Sequence, residues 1–314
     1  VSESVVMMDI SCAICVPVML SDAPAAYLYL DARSNEMRKL RPSASAFCVA
    51  LGRMASLALA NIKRVEMEKR DAQLQAEISA AAMAQRWILP QREFQFGQVS
   101  GIGESRPGRL LGGDFFDVIP LPDNRLAITL GDVSGKGITA SVLMTASQGF
   151  LHSALTGGRP LADAIDALNR YVHPRRPSSR FVTIWGAILD LSKRTLTYVD
   201  AGHSYAFLKR ADGRVIQLDE AGGLPIGIDE SEPYKSATIE LIAGDSLMVV
   251  SDGIIEQPAM MRDAKGDRFQ FGVEGLIQFL ANVPTDPVKA IFDAVEKHAG
   301  TKELGDDATA VWIV

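Results

Sequence analysis

Four aspartate positions in this chain share one local setting, each beside an apolar run. Asp114 precedes Phe115 to Leu121, Asp132 follows Leu126 to Leu130, Asp252 follows Leu247 to Ser251, and Asp306-Asp307 precede Ala308 to Val314. A carboxylate held unpaired at the end of a buried strand is costly, by several kcal/mol. A hard cation removes that cost. Oxygen-only donors, with no histidine or thiolate beside them, suit Mg²⁺ or Mn²⁺ better than zinc. Two such ions sharing a carboxylate would acidify a water and clamp a phosphoryl group. Taken alone, Asp252-Gly253 reads more naturally as a turn; the repetition of the setting is what argues for ligation.

Such residues converge only if strand ends gather on one rim. Strands are expected at Phe94 to Gly101, at Phe115 to Leu121 with Leu126 to Leu130, and at Phe181 to Asp190 with Thr195 to Ala201. Further pairs are expected at Tyr205 to Arg210 with Arg214 to Leu218 and at Ser236 to Leu241 with Ser246 to Ser251, and the chain closes on Ala308 to Val314. Helical periodicity marks about 138–155, 160–171 and 272–299. Repeated hairpins without a βαβ rhythm imply an α+β fold of antiparallel sheets covered by helices, most economically two packed sheets.

The first ninety residues differ. Two short strands, 10–20 and 25–31, turn at Ser21 to Pro24, and a polar loop (33–42) leads to a helix over about 45–89. Phe47, Leu51, Met54, Ala58 and Ile62 form an apolar stripe expected to pack on the two strands. From Lys63 to Ala84 the helix turns polar, leaving Val65, Ala72, Ile78 and Met83 as a broken seam. A linker helix pairing with a second copy in a coiled coil, hence a homodimer, is the expectation. Trp87, Ile88 and Leu89 would dock on the domain that follows. Cys12 and Cys15 form a C-x-x-C without a second pair and are expected to be buried small residues in a cytosolic protein, with no disulfide framework.

Composition bounds the rest. With 314 residues, 47% hydrophobic and 22% charged, the chain has room for two domains. A formal net charge of −6 argues against a nucleic-acid partner. No membrane span is expected, because the most apolar run, Val5 to Leu20, is broken by Asp9 and is short of the roughly 20 residues a bilayer needs. A cytoplasmic location follows as an expectation. The opening on Val1, inside an apparent strand, suggests a piece of a longer protein.

Seven ordered motifs carry a resemblance. Gly113-Asp114-Phe-Phe-Asp117, Gly131-Asp-Val-Ser-Gly-Lys-Gly137, Ala140-Ser-Val-Leu-Met144, Asp200-Ala-Gly-His203, Gly222-Gly-Leu-Pro-Ile-Gly227, Gly244 to Gly253 and Asp306-Asp-Ala-Thr309 resemble the PPM (PP2C-like) phosphatases of the SpoIIE/RsbU type. The resemblance implies an α-β-β-α sandwich of two antiparallel sheets flanked by helices, and metal-dependent dephosphorylation of phosphoserine or phosphothreonine on a phosphorylated protein substrate, such as an anti-sigma-factor antagonist. It implies two Mn²⁺ or Mg²⁺ ions, bridged by Asp132, with the Val133 carbonyl on one of them. Asp252 and Asp306 would bind the second ion, Asp114 would complete the site, and Asp307 is an alternative to Asp306. Asp132 and Asp114 are thus the catalytic candidates. Lys136, where many relatives have histidine, would meet the phosphate. His203 reads as a structural turn residue rather than a proton donor. The segment before residue 62 resembles the last part of a GAF sensory domain, through ICVPVML and AAYLYLD. The expected organisation is 1–62 GAF-like, 63–90 linker and 91–314 phosphatase, with the sensory part regulating the enzyme. The rival reading is a catalytically silent scaffold of the same fold that binds a partner. Gly131-x-x-x-Gly-Lys-Gly137 has one residue too few between its glycines for a P-loop, and no G-x-S-x-G occurs.

Overall fold

The computed structural model describes residues 10–33, 43–108, 110–176, 180–231, 233–260 and 269–314. The expected polar loop falls almost entirely outside them. The chain forms two compact units, residues 1–77 and 78–314.

In the first unit, β1 (Ile10–Leu20) and β2 (Ala23–Arg33) pair antiparallel. Helix α1 (Ala44–Ile88) begins here and continues into the second unit. The face it lays on β1 is not the expected stripe. Cys48 and Gly52 are the buried positions. A methyl group at Gly52 would stand 2.6 Å from Val16 Cγ1, and Ser56 Oγ accepts a 2.8 Å hydrogen bond from the Met19 amide. Small residues win this face because the helix axis comes so close to the strand. Phe47, Met54 and Ile62 are left 68%, 68% and 56% exposed. The cysteine expectation also fails, since Cys12 and Cys15 are exposed; among the described side chains of β1, Val16 and Val18 are the buried ones. One further difference concerns α1, which contains a stretch long and apolar enough, by length and composition, to cross a membrane. That stretch lies in the alanine- and leucine-rich first part of the helix, not in Val5 to Leu20.

The second unit is a four-layer sandwich. One sheet orders its strands β10-β9-β13-β14-β4-β3, from β3 (Glu93–Phe96), β4 (Val99–Arg106), β9 (Ala206–Lys209), β10 (Val215–Gln217), β13 (Ser246–Val250) and β14 (Ala308–Ile313). The other orders β11-β8-β7-β6-β5, from β5 (Phe115–Leu121), β6 (Arg125–Val133), β7 (Val182–Asp190), β8 (Thr195–Ala201) and β11 (Gly222–Gly223), with β12 (Ala237–Glu240) also on β8. Pairing is antiparallel throughout except for the two-residue β11–β8 contact. Helices α2 (Ile138–Thr156) and α3 (Leu161–Val172) cover one outer face. The short α4 (Asp252–Ile255), α5 (Gly272–Ala281) and α6 (Pro287–Ala299) cover the other. Between the sheets, Phe116, Ile128, Leu130, Trp185, Leu208 and Val249 form a continuous apolar layer.

Two expectations change. The segments 236–241 and 246–251 are not partners: β12 joins β8, whereas β13 lies between β9 and β14. Asp245 makes the crossing possible by accepting from the Ile242 and Ala211 amides and from Arg210. The helical region expected over about 272–299 divides into two helices, the second capped by the Asp286 side chain with Pro287 in its first turn.

Candidate metal centre at one rim of the sandwich

Strand direction brings the aspartates together. β6 and β13 end, and β5 and β14 begin, at the same rim, so Asp132, Asp252, Asp114 and Asp306-Asp307 meet there. Asp114 is 2% exposed. Its Oδ2 accepts a 2.8 Å hydrogen bond from Thr309 Oγ1, while its Oδ1 is buried without a partner. Burial first, then the charges of Asp132 and Asp307, push the Asp114 carboxyl well above the ordinary range. Burial, with Asp306 and Asp307 adding to it, raises Asp132 to about 6. Asp252 is raised to about 7 by burial, with Asp132, Glu256 and Asp306 contributing. Negative charges this close repel unless neutralised.

The Asp306/Asp307 alternative acquires a physical distinction. Both Asp307 oxygens are engaged, Oδ1 by the Gly108 amide at 2.8 Å and Oδ2 by the Gly113 amide at 2.5 Å. Asp307 therefore ties down the loop leading to Asp114. Asp306 faces Lys136, whose Nζ lies 3.0 Å from Oδ1 and donates to the Gly305 carbonyl at 2.7 Å. Glycine is required where loops cross: a methyl on Gly113 would lie 2.8 Å from the Val133 carbonyl oxygen, and one on Gly253 would overlap the Asp307 carbonyl. As the side chains stand, no three described Asp, Glu, His or Cys residues close into a metal cage. The donor set still fits a divalent cation. It is all oxygen, it is rich in charge, and it includes the orphaned Asp114 Oδ1.

Several participants were not visible in the sequence. Ser251 and Thr309 lock the two rim strands, the Thr309 amide donating to Ser251 Oγ at 2.8 Å and the Ser251 amide to the Thr309 carbonyl at 2.9 Å. Arg180 donates to the Ser134 carbonyl and packs over Gly135, placing a second cation beside Lys136's loop. Gln85, on the last turns of α1, grips Gly112 twice, Nε2 to the carbonyl at 2.8 Å and Oε1 from the amide at 3.3 Å. Only polar residues in a loop-rich neighbourhood announce these, and the sequence has many. The expected docking by Trp87, Ile88 and Leu89 holds in part. Leu89 packs on the core beneath α2 and the Ile88 carbonyl accepts from Gln148, but Trp87 is 83% exposed. His203 is structural. Its Nε2 lies 2.9 Å from the Val250 carbonyl, and burial lowers it to about 4.

The family described as Stage II sporulation protein E (SpoIIE) matches residues 122–314, more than half of the chain. The chain belongs to the SpoIIE family. Phosphoserine phosphatase RsbU of Bacillus subtilis is 28% identical over 245 residues, covering 76% of this chain and 70% of RsbU. Among solved structures, the SiaA-PP2C domain of Pseudomonas aeruginosa superposes with a TM-score of 0.64 at 19% identity, covering 77% of this chain and 97% of that domain. The PP2C domain of Bacillus subtilis SpoIIE, with a fragment of its regulatory domain, gives 0.58 at 22% identity, with 71% and 64% covered. RsbX, solved in complex with magnesium, gives 0.54 at 16%, with 70% and 97% covered. These structures share the sandwich fold. The second unit of this SpoIIE-family chain is a serine/threonine phosphatase domain of the PP2C type. The family match does not extend to the first unit.

Proposed function

We propose that this chain hydrolyses phosphoserine or phosphothreonine on a bacterial signalling protein in the cytoplasm, using two Mn²⁺ or Mg²⁺ ions at the acidic rim. The observation that carries this reading is the gathering of Asp114, Asp132, Asp252 and Asp306 at one end of a SpoIIE-family sandwich, with Asp132 charge-coupled to its neighbours. Asp132 and the Val133 carbonyl would hold the ions from one side, Asp252 and Asp306 from the other, and Asp114 would complete the shell. Divalent ions supply Lewis acidity there, polarising the phosphoryl group and lowering the pKa of a water. The chain's own contribution is positional. Thr309, itself held by Ser251, fixes Asp114, Asp307 ties Gly108 and Gly113, and Lys136 can exchange Asp306 for a phosphoryl oxygen. An anti-sigma-factor antagonist is the substrate class this reading favours.

In the same reading residues 1–62 are the end of a GAF-like sensory module, 63–90 a linker that pairs with a second copy, and 91–314 the phosphatase. Hydrolysis of a phosphopeptide with Mn²⁺, by the chain and by its Asp132→Asn variant, tests the enzyme. Equal rates in both, or metal binding with no turnover in either, would favour a silent scaffold. Charged substitutions at Val65 and Ile78 test the linker; an unchanged oligomeric state and rate would remove it from the proposal.

A further inference from the structure

At the end of the sandwich away from the carboxylates, a cavity of about 620 Å³ opens between the two sheets. It borders the start of β6 and β13 and the end of β14, the reverse of the acidic rim, roughly 25 Å away along β6. Ile128 and Leu196 from one sheet and Leu208 and Leu247 from the other form its floor. The mouth is made by turns, with Ile242 59% exposed.

The charges at this mouth are unequal. Asp245, the acidic side chain among the lining residues, is held by Arg210 at 2.7 Å. Arg194 also borders the cavity, and among the described residues its side chain has neither a hydrogen bond nor an ion pair. It occupies a left-handed backbone position, φ 55°, in the turn between β7 and β8. Glycine or asparagine would sit there without strain. An arginine at a left-handed turn position, without a side-chain partner and beside an apolar slot, can hold an anionic group there.

We propose that this cavity is a binding site for a small amphipathic carboxylate, its apolar body between the sheets and its anionic head on Arg194. The test uses decanoate and decan-1-ol as probes, titrated into the intact chain and followed by calorimetry. Decanoate is expected to bind at one saturable site, about tenfold tighter than the alcohol, as a charge-assisted hydrogen bond would give. Arg194→Gly should erase that preference while leaving the thermal midpoint equal or higher, because glycine accepts φ 55°. Arg194→Asn, which also tolerates this conformation, should behave alike and separates lost binding from lost folding. Ile242→Ser should weaken both probes. No saturable binding, equal affinity for acid and alcohol, or unchanged decanoate affinity in the Arg194 variants would overturn the proposal.

Discussion

Asp114 and Asp245 stand at opposite ends of one sandwich, and both are nearly sealed from water, with 2% of Asp114 and 3% of the Asp245 side chain exposed. Asp245 is satisfied: Arg210 lies at 2.7 Å, and two amides complete its carboxylate. Asp114 has one hydroxyl, an orphaned oxygen and acidic neighbours. The contrast separates two reasons to bury a charge. One carboxylate serves the fold, closing a strand crossing with both oxygens engaged. The other is left short of partners at a place where a cation can supply what is missing.

The sharpest way to break this contrast is at the acidic rim. Asp132→Asn should lower Mn²⁺-dependent phosphopeptide hydrolysis at least about a hundredfold, with the metal-free thermal midpoint unchanged or raised because a repelling charge is gone. Parallel rates in variant and wild type would end the assignment. At the other end the signature inverts. Asp245→Ala strands Arg210 and should cost about 3 kcal/mol of stability in denaturant titrations, with little change in turnover per folded molecule.

Proton linkage offers an intermediate test on the metal-free chain. Asp132 and Asp252 are raised to about 6 and about 7 from an ordinary 3.8. Between those values the folded chain holds protons that the unfolded chain has released, so stability is greatest at the acidic end and falls as pH rises from about 4 to about 7. Thermal midpoints in EDTA should therefore be lower at pH 8 than at pH 5.5. Saturating Mn²⁺ should restore the loss at pH 8, and Asp252→Asn should flatten the profile. The smallest effect is expected at Gln85. Removing its two hydrogen bonds to Gly112 by Gln85→Ala should cost about 1 kcal/mol and weaken apparent Mn²⁺ affinity a few-fold, by loosening the loop before Asp114.

Legibility in the sequence followed the same division. Aspartates beside apolar strands were visible because a carboxylate in that setting is energetically conspicuous, and the strands carried their own alternation. Thr309, Ser251 and Gln85 were not, since a hydroxyl or amide at a strand or helix end is ordinary until its partner is known. The packing face of α1 misled for a related reason. Hydrophobic patterning marks where large side chains lie, whereas Gly52 and Ser56 bind β1 by being small enough to let the backbones approach. The destination of β12 depended on Asp245, which ties its own turn at Ile242 to Arg210 and Ala211, more than thirty residues away.

Strand β14 has a consequence for timing. It is the last strand of the chain, and it pairs with β4 across some two hundred residues, from Ala308 against Arg106 to Ile313 against Gly101. Contacts of such sequence separation form slowly, after local hairpins and helices. Asp306, Asp307 and Thr309 enter the rim only with that pairing, so Asp114 lacks the Thr309 hydroxyl and its loop lacks the Asp307 anchor until β14 is in place. A chain in which β14 has not yet paired would carry most of the sandwich without the completed rim. Completion of the rim is thereby tied to one long-range strand pairing.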